Sequence, residues 1–132
     1  TAVCPNHIGA MSVANLDCNN ESNLKEAAEI ILKKVNSKYV IITCGKDGIF
    51  VYENQRENCL IPTYAEEVFD IIGAGDTVKA VLGLALASSA TIKQAAELAN
   101  YAAGVVIKKV GTSTATTEEI EKYIRKRNNM LK

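Results

Sequence analysis

Four residues near the middle of the chain, Gly73-Ala74-Gly75-Asp76, have the types and spacing to do chemistry. Small residues at the start of a helix let the backbone approach a ligand closely. The first-turn N–H groups then point at that ligand, and the helix dipole favours negative charge there. An acidic side chain in the same turn stands beside the anion site. Asp76 is thus placed to take a proton from a hydroxyl while the amides of Gly73, Ala74 and Gly75 stabilise a transferring phosphoryl group. The same residues also serve a plainer purpose, with the glycines permitting a tight turn and Asp76 capping the helix. An isolated Gly-x-Gly-Asp does not separate the two.

Three other places carry polar residues in suggestive settings. Pro5-Asn6 follows a short apolar run. Thr43-Cys44-Gly45-Lys46-Asp47-Gly48 follows a β-branched one, and Asn100 sits in an Ala-rich helical segment. Thr43 and Gly45 equally suit a strand end and turn, and Asn100 an exposed helix face. His7 near these places reads most simply as a surface or cap residue and Lys46 as a solvated one, while Lys79 either snorkels or marks an uncovered helix face.

The elements that must position these residues alternate between strand and helix, which argues for an α/β domain. A strand ends at Cys4, and a short helix is expected over residues 7–16. The next helix is expected from Asn23 to Val35, because Leu24, Ala27, Ala28, Ile31, Leu32 and Val35 fall on one face. Lys38 to Thr43 is apolar on successive positions, the pattern of a strand covered on both faces, as in a parallel sheet. After the Gly45–Gly48 turn come strands over 49–52 and 59–61. The helix opening at Gly73 runs to Ala87 and is apolar almost all round, which predicts burial. Thr91 caps a helix running towards Ile107, Gly111 stops it, and Thr117 is expected to cap the last helix.

Bulk properties bound the function. The chain has 132 residues, 48% hydrophobic and 23% charged, which fits one globular domain. Fifteen basic and fifteen acidic residues give zero net charge, so nothing favours nucleic acid or an anionic membrane as partner. The four cysteines form no Cys-x-x-Cys pair and only one His is present, against a Cys/His zinc site. Cys4 and Cys44 lie in apolar runs and are expected to be buried thiols, usage that suits a reducing cytoplasm. No apolar run reaches transmembrane length. The chain opens on what reads as the end of a buried strand, as a piece of a longer protein would.

The longer run Asp70-Ile71-Ile72-Gly73-Ala74-Gly75-Asp76-Thr77, with Ala80 beyond it, resembles the C-terminal signature of the ribokinase-like (PfkB-type) carbohydrate kinases. Pro5-Asn6, the Thr43–Gly48 turn and Ala99-Asn100 before Ala102-Ala103-Gly104 match further family features in order. The resemblance covers nearly the whole chain. Within the family, Glu67-Val68-Phe69-Asp70 and the run from Ala103 to Thr114 are similar to the heptose-7-phosphate kinases.

The resemblance implies the C-terminal half of a three-layer Rossmann-like fold, with a mostly parallel sheet and helices on both faces. It implies ATP-dependent phosphoryl transfer to a sugar or sugar phosphate. Asp76 is then the general base, and Gly73, Ala74 and Gly75 form the anion hole. Thr43, Gly45, Gly48 and Asn6 lie along the nucleotide, and Asn100 near the adenine. Asp70, Ile72 and Gly111 border a monovalent-cation (potassium) site, and Mg2+ arrives with ATP. Two positions depart from the family pattern. Gly9 stands where the family has a Glu near magnesium, and Ile72 where it has Thr. The family's sugar-binding half has no counterpart in these residues. A non-catalytic nucleotide-binding or assembly fragment, pairing as a homodimer or with the absent half, therefore stays open as a second reading. A third, a kinase of a nucleoside or vitamin, is disfavoured by Ala74, since vitamin kinases tend to carry Thr there.

Overall fold

The computed structural model describes residues 2–17, 22–54, 56, 58–65 and 71–132. The chain divides into two compact units, Thr1–Thr63 and Tyr64–Lys132.

The first unit is built on a four-stranded sheet of β1 (Ala2–Val3), β2 (Tyr39–Thr43), β3 (Ile49–Glu53) and β4 (Cys59–Ile61), in that order. Helices α1 (His7–Ala14) and α2 (Asn23–Val35) connect β1 to β2 and make that pairing parallel. The other two pairings, β2–β3 and β3–β4, are antiparallel. The α/β class expected from the sequence holds, but the described sheet is mixed rather than mostly parallel. Residues Cys44 to Gly48 are too few for a crossover, so β3 must return alongside β2 as a hairpin. Val40, Ile41 and Ile42 are all buried, as the apolar run predicts, and that pattern does not report strand direction.

Pleating sends alternate residues to opposite faces. Val40, Ile42, Phe50 and Tyr52 pack with Ala10 and Met11 of α1 and Leu24, Ala27, Ala28, Ile31 and Leu32 of α2 in one core. The apolar face of α2 read from its periodicity is the one that packs, apart from Val35, which is 51% exposed at the helix end. Two polar bonds add to this packing, one between sheet and helix and one between the two helices. The Tyr52 hydroxyl donates to Glu29 Oε1 at 3.3 Å, and Lys34 Nζ donates to the Val13 carbonyl at 2.9 Å. Helix α1 stops at Ala14 because Asn15 turns left-handed, with φ 58°. Cys4 and Cys44 are half-buried rather than buried, since both sit where the backbone leaves the sheet.

The second unit is helical: α3 (Ala74–Ala87), α4 (Ile92–Val106) and α5 (Thr117–Met130). Ala95, Ala96, Ala99 and Ala102 of α4 are fully buried, and such small side chains permit close helix approach. Thr91 caps α4 in a capping box with Gln94. Helix α3 is not buried all round. Val78, Leu82 and Ala85 form its inward stripe, while Leu84 is 71% exposed and Ala80 is also exposed. Overall apolarity does not say how many faces have partners.

Helix α5 buries no residue fully and is held by a few anchors. Its N-cap is Thr116, not Thr117. Thr116 Oγ1 accepts from the Glu119 amide at 3.2 Å, and Glu119 Oε2 accepts from the Thr116 amide at 2.8 Å. With Thr117 as cap the reciprocal position would be Ile120, which cannot close the box. Tyr123 packs edge-on to Tyr101 at 6.2 Å, and its hydroxyl donates to the Tyr64 carbonyl. Gly104 makes room for this ring. A Cβ there would lie 3.0 Å from Tyr123 Cε1.

Candidate functional site: a glycine turn opening helix α3 and a strand-end turn in the sheet

In the second unit, Gly73 is the N-cap of α3 and takes a left-handed conformation, φ 83° and ψ −9°. That conformation favours glycine and lets the chain swing directly into the helix. The Ala74 amide bonds back to the Ile71 carbonyl at 3.3 Å, and the Thr77 amide donates to the Gly73 carbonyl at 3.0 Å. At Gly75 a Cβ would meet nothing within 4 Å, so the backbone there is open to close approach. The Asp76 side chain is 87% exposed and pairs with Lys79 Nζ at 3.4 Å, one turn further on. The arrangement is an accessible helix N-terminus with a carboxylate and an ammonium on its rim, a setting that favours an anionic ligand.

The Gly111 loop lies beside this turn. Gly111 has φ 75°, its carbonyl accepts from Ser113 Oγ at 3.3 Å, and a Cβ on Gly73 would stand 3.4 Å from Thr112 Cγ2. Ile72 is 62% exposed. Asp70, the third residue expected at a cation site, lies outside the described residues. Among the described residues no group of three or more His, Cys, Asp or Glu gathers as a metal site. Asn100 is buried in α4, 3% exposed, so it is not the exposed helix-face residue that its polarity also allowed.

In the first unit the structure brings together two motifs 37 residues apart in sequence. Asn6 and Thr43 form a parallel bridge, and the Thr43 amide donates to the Pro5 carbonyl at 3.1 Å. Both lie at the carboxyl ends of parallel strands, where ligands of open α/β sheets bind. Asn6 also caps α1, its Oδ1 accepting from the Gly9 amide at 2.7 Å. The turn after Thr43 is a single 3-10 turn, Gly45–Asp47. It closes with the Cys44 amide on the Gly48 carbonyl at 2.8 Å. Gly45 (φ 57°) faces open space. Gly48 (φ 108°) is crowded, since a Cβ there would fall 2.0 Å from the Ile61 carbonyl oxygen. Gly48 thus has a packing requirement whatever it does with a ligand.

The model of the pfkB family carbohydrate kinases matches residues 1–119. The chain belongs to that family. Bifunctional protein HldE of Nitratiruptor is 44% identical over 125 residues, covering 95% of this chain and 27% of the relative. The HldE of Geobacter sulfurreducens is 41% identical over 120 residues, covering 91% and 24%. The chain thus spans about a quarter of the length of these curated relatives. Arabidopsis ribokinase, solved with ribose and ATP, superposes with a TM-score of 0.85 at 19% identity, covering 94% of this chain and 40% of that one. Escherichia coli phosphofructokinase-2, solved with potassium, gives 0.84 at 19% identity over the same shares. The ribokinase-like fold read from the signature is confirmed in this pfkB-family chain.

Sequence reasoning missed the ion pairs of the second unit, among them one at the Gly73 turn and one across the Gly111 loop. Asp76 and Lys79 are three apart on one helix, a spacing that could have flagged them. Lys109 and Glu119 pair at 2.8 Å across a loop, and no short-range pattern reports that. No helix among the described residues is long and apolar enough to cross a membrane.

Proposed function

We propose that this chain is the C-terminal, nucleotide-binding and catalytic-base part of a cytoplasmic ATP-dependent sugar kinase whose acceptor is a sugar phosphate of the heptose 7-phosphate type. The observation that carries the reading is the Gly73–Asp76 turn, open above Gly75 with Asp76 exposed on its rim, in a chain of the pfkB family. The acceptor class is supported by the identity to the HldE proteins and by the residues flanking the signature.

In this reading Asp76 takes the proton of the acceptor hydroxyl, and the freed oxygen attacks the γ-phosphorus of ATP. The bond to the β-phosphate oxygen breaks, leaving ADP and a sugar phosphate, with one proton released. The glycine-turn amides face the charge that spreads over the equatorial oxygens. A positioned base contributes about 10²- to 10⁴-fold. Magnesium would enter with ATP and supply charge neutralisation at its phosphates. The carbonyls of Asp70 and Ile72, with the loop at Gly111, are the groups that would border potassium. Asn6, Thr43, Gly45 and Gly48 in the first unit, and Asn100 in the second, keep the nucleotide roles implied by the family resemblance.

One observation favours a second reading, a nucleotide-binding element without turnover. Gly9 replaces the family's acidic residue, and its amide is taken by the Asn6 side chain. Isothermal titration of this chain with Mg-ATP decides between outcomes. Binding that survives Asp76→Ala but fails in Gly75→Val supports the anion hole. Turnover on adding the sugar-binding half then separates kinase from binding element. Absence of binding in the parent chain sinks the nucleotide reading for these residues alone.

A further inference from the structure

Lys109 leaves the end of α4 and spans the connection to α5 with one ammonium group. Its Nζ donates to the Thr114 carbonyl at 2.7 Å and contacts both Glu119 oxygens, Oε1 at 2.8 Å and Oε2 at 2.9 Å. Glu119 is held in turn, because its Oε2 also accepts from the Thr116 amide at 2.8 Å. An ammonium has three donors, and all three have acceptors here. The two ends of the segment from Val110 to Thr116 are thereby tied to each other. Such charge-assisted bonds are the strong ones, and both side chains are partly screened from water, 33% and 39% exposed. The segment so tied carries Thr112, whose methyl packs beside Gly73 at the start of α3.

We propose that Lys109 and Glu119 are positioning residues for the Gly73–Asp76 turn, acting through the Val110–Thr116 loop. Neither touches the turn. They hold the loop in the one conformation that sets Thr112 against Gly73, and so they limit how far the turn can open. The consequence for ligand affinity rests on reading that turn as the phosphoryl-handling element. The mechanical link does not.

Amide hydrogen exchange on the whole chain tests the link with no ligand present. Lys109→Met is expected to speed exchange over residues 110–116 by about tenfold. It should also speed exchange at Ala74 and Thr77, whose amides are bonded to the Ile71 and Gly73 carbonyls, while α4 amides 95–103 stay unchanged. Lys109→Arg should restore most of the protection. Faster exchange in the loop with none at Ala74 and Thr77 overturns the proposal. So does equal acceleration throughout α4, which would mean a general loss of stability. Should Lys109→Met fail to fold, Glu119→Gln keeps the cap uncharged and is read by the same three windows. Titration of the same variants with Mg-ATP then addresses the functional reading. If the parent binds, Lys109→Met should bind several-fold more weakly, and unchanged affinity overturns the functional consequence. If the parent does not bind, the nucleotide reading falls while the exchange data still decide the link.

Discussion

Asp76 Oδ1 lies 3.4 Å from Lys79 Nζ on the exposed side of α3, so the proposed base is paired before any substrate arrives. The pair is exposed, and such pairs contribute only about 0–1 kcal/mol. Asp76→Asn should therefore unfold at the parent's urea midpoint while slowing phosphoryl transfer about 10²- to 10⁴-fold once the sugar-binding half is supplied. Its Mg-ATP affinity should be equal or higher, because a negative charge near the phosphates is gone. Gly75→Val should also fold normally, since nothing within 4 Å opposes a Cβ there, yet lose Mg-ATP binding. A folded Gly75→Val chain that binds like the parent would remove the turn from the site.

How far the sequence reveals such a site depends on the range of the interaction. Helix α2 runs from Asn23 to Val35 as its apolar spacing predicts, and the Thr91 cap is observed, because both are written within one or two turns. The Gly73 turn was legible for the same reason. Strand direction was not, since three successive buried residues look alike in parallel and antiparallel sheets. The exposure of Leu84 was not legible either, because a face is covered by its partners and not by its own composition. Lys109 and Glu119 stand ten residues apart across a loop, and only the fold joins them.

Gly48 separates packing from binding in the strand-end turn. Its positive φ and the 2.0 Å approach of a Cβ to the Ile61 carbonyl leave no room for a side chain. Gly48→Ala should cost about 3 kcal/mol and loosen the β3–β4 pairing, read as a fall in the urea midpoint. Gly45→Ala meets no neighbour and carries only the left-handed backbone penalty, about 1 kcal/mol. A mild effect at both positions would refute the crowding.

Asn6 and Gly9 form a matched pair at the start of α1. Removing the cap with Asn6→Ala should cost about 1 kcal/mol of stability in chemical denaturation. Restoring the family's acidic residue with Gly9→Glu should not be free of cost either. The new Cβ would stand 2.9 Å from Asn6 Oδ1 and push the cap off the amide. The expected result is a loss of similar size to Asn6→Ala, and the two changes together should be less than additive. Full additivity would show that the cap does not feel the Gly9 side chain.

Alkaline pH should weaken the first unit through Tyr52. Burial, then the Glu29 carboxylate, holds its phenol above the usual value of 10.0. A tyrosine with a raised folded pKa is neutral in the folded state while the unfolded chain ionises first. Its contribution is therefore fully present below pH 10.0 and is lost as pH rises through the folded value. Urea midpoints should be flat below pH 9 or so and fall above about pH 10. Tyr52→Phe loses the bond to Glu29 at 3.3 Å, a cost of about 1 kcal/mol at neutral pH. In return it should show a shallower alkaline decline than the parent. Identical alkaline slopes in the two proteins would mean that Tyr52 is not the group whose ionisation opens the core.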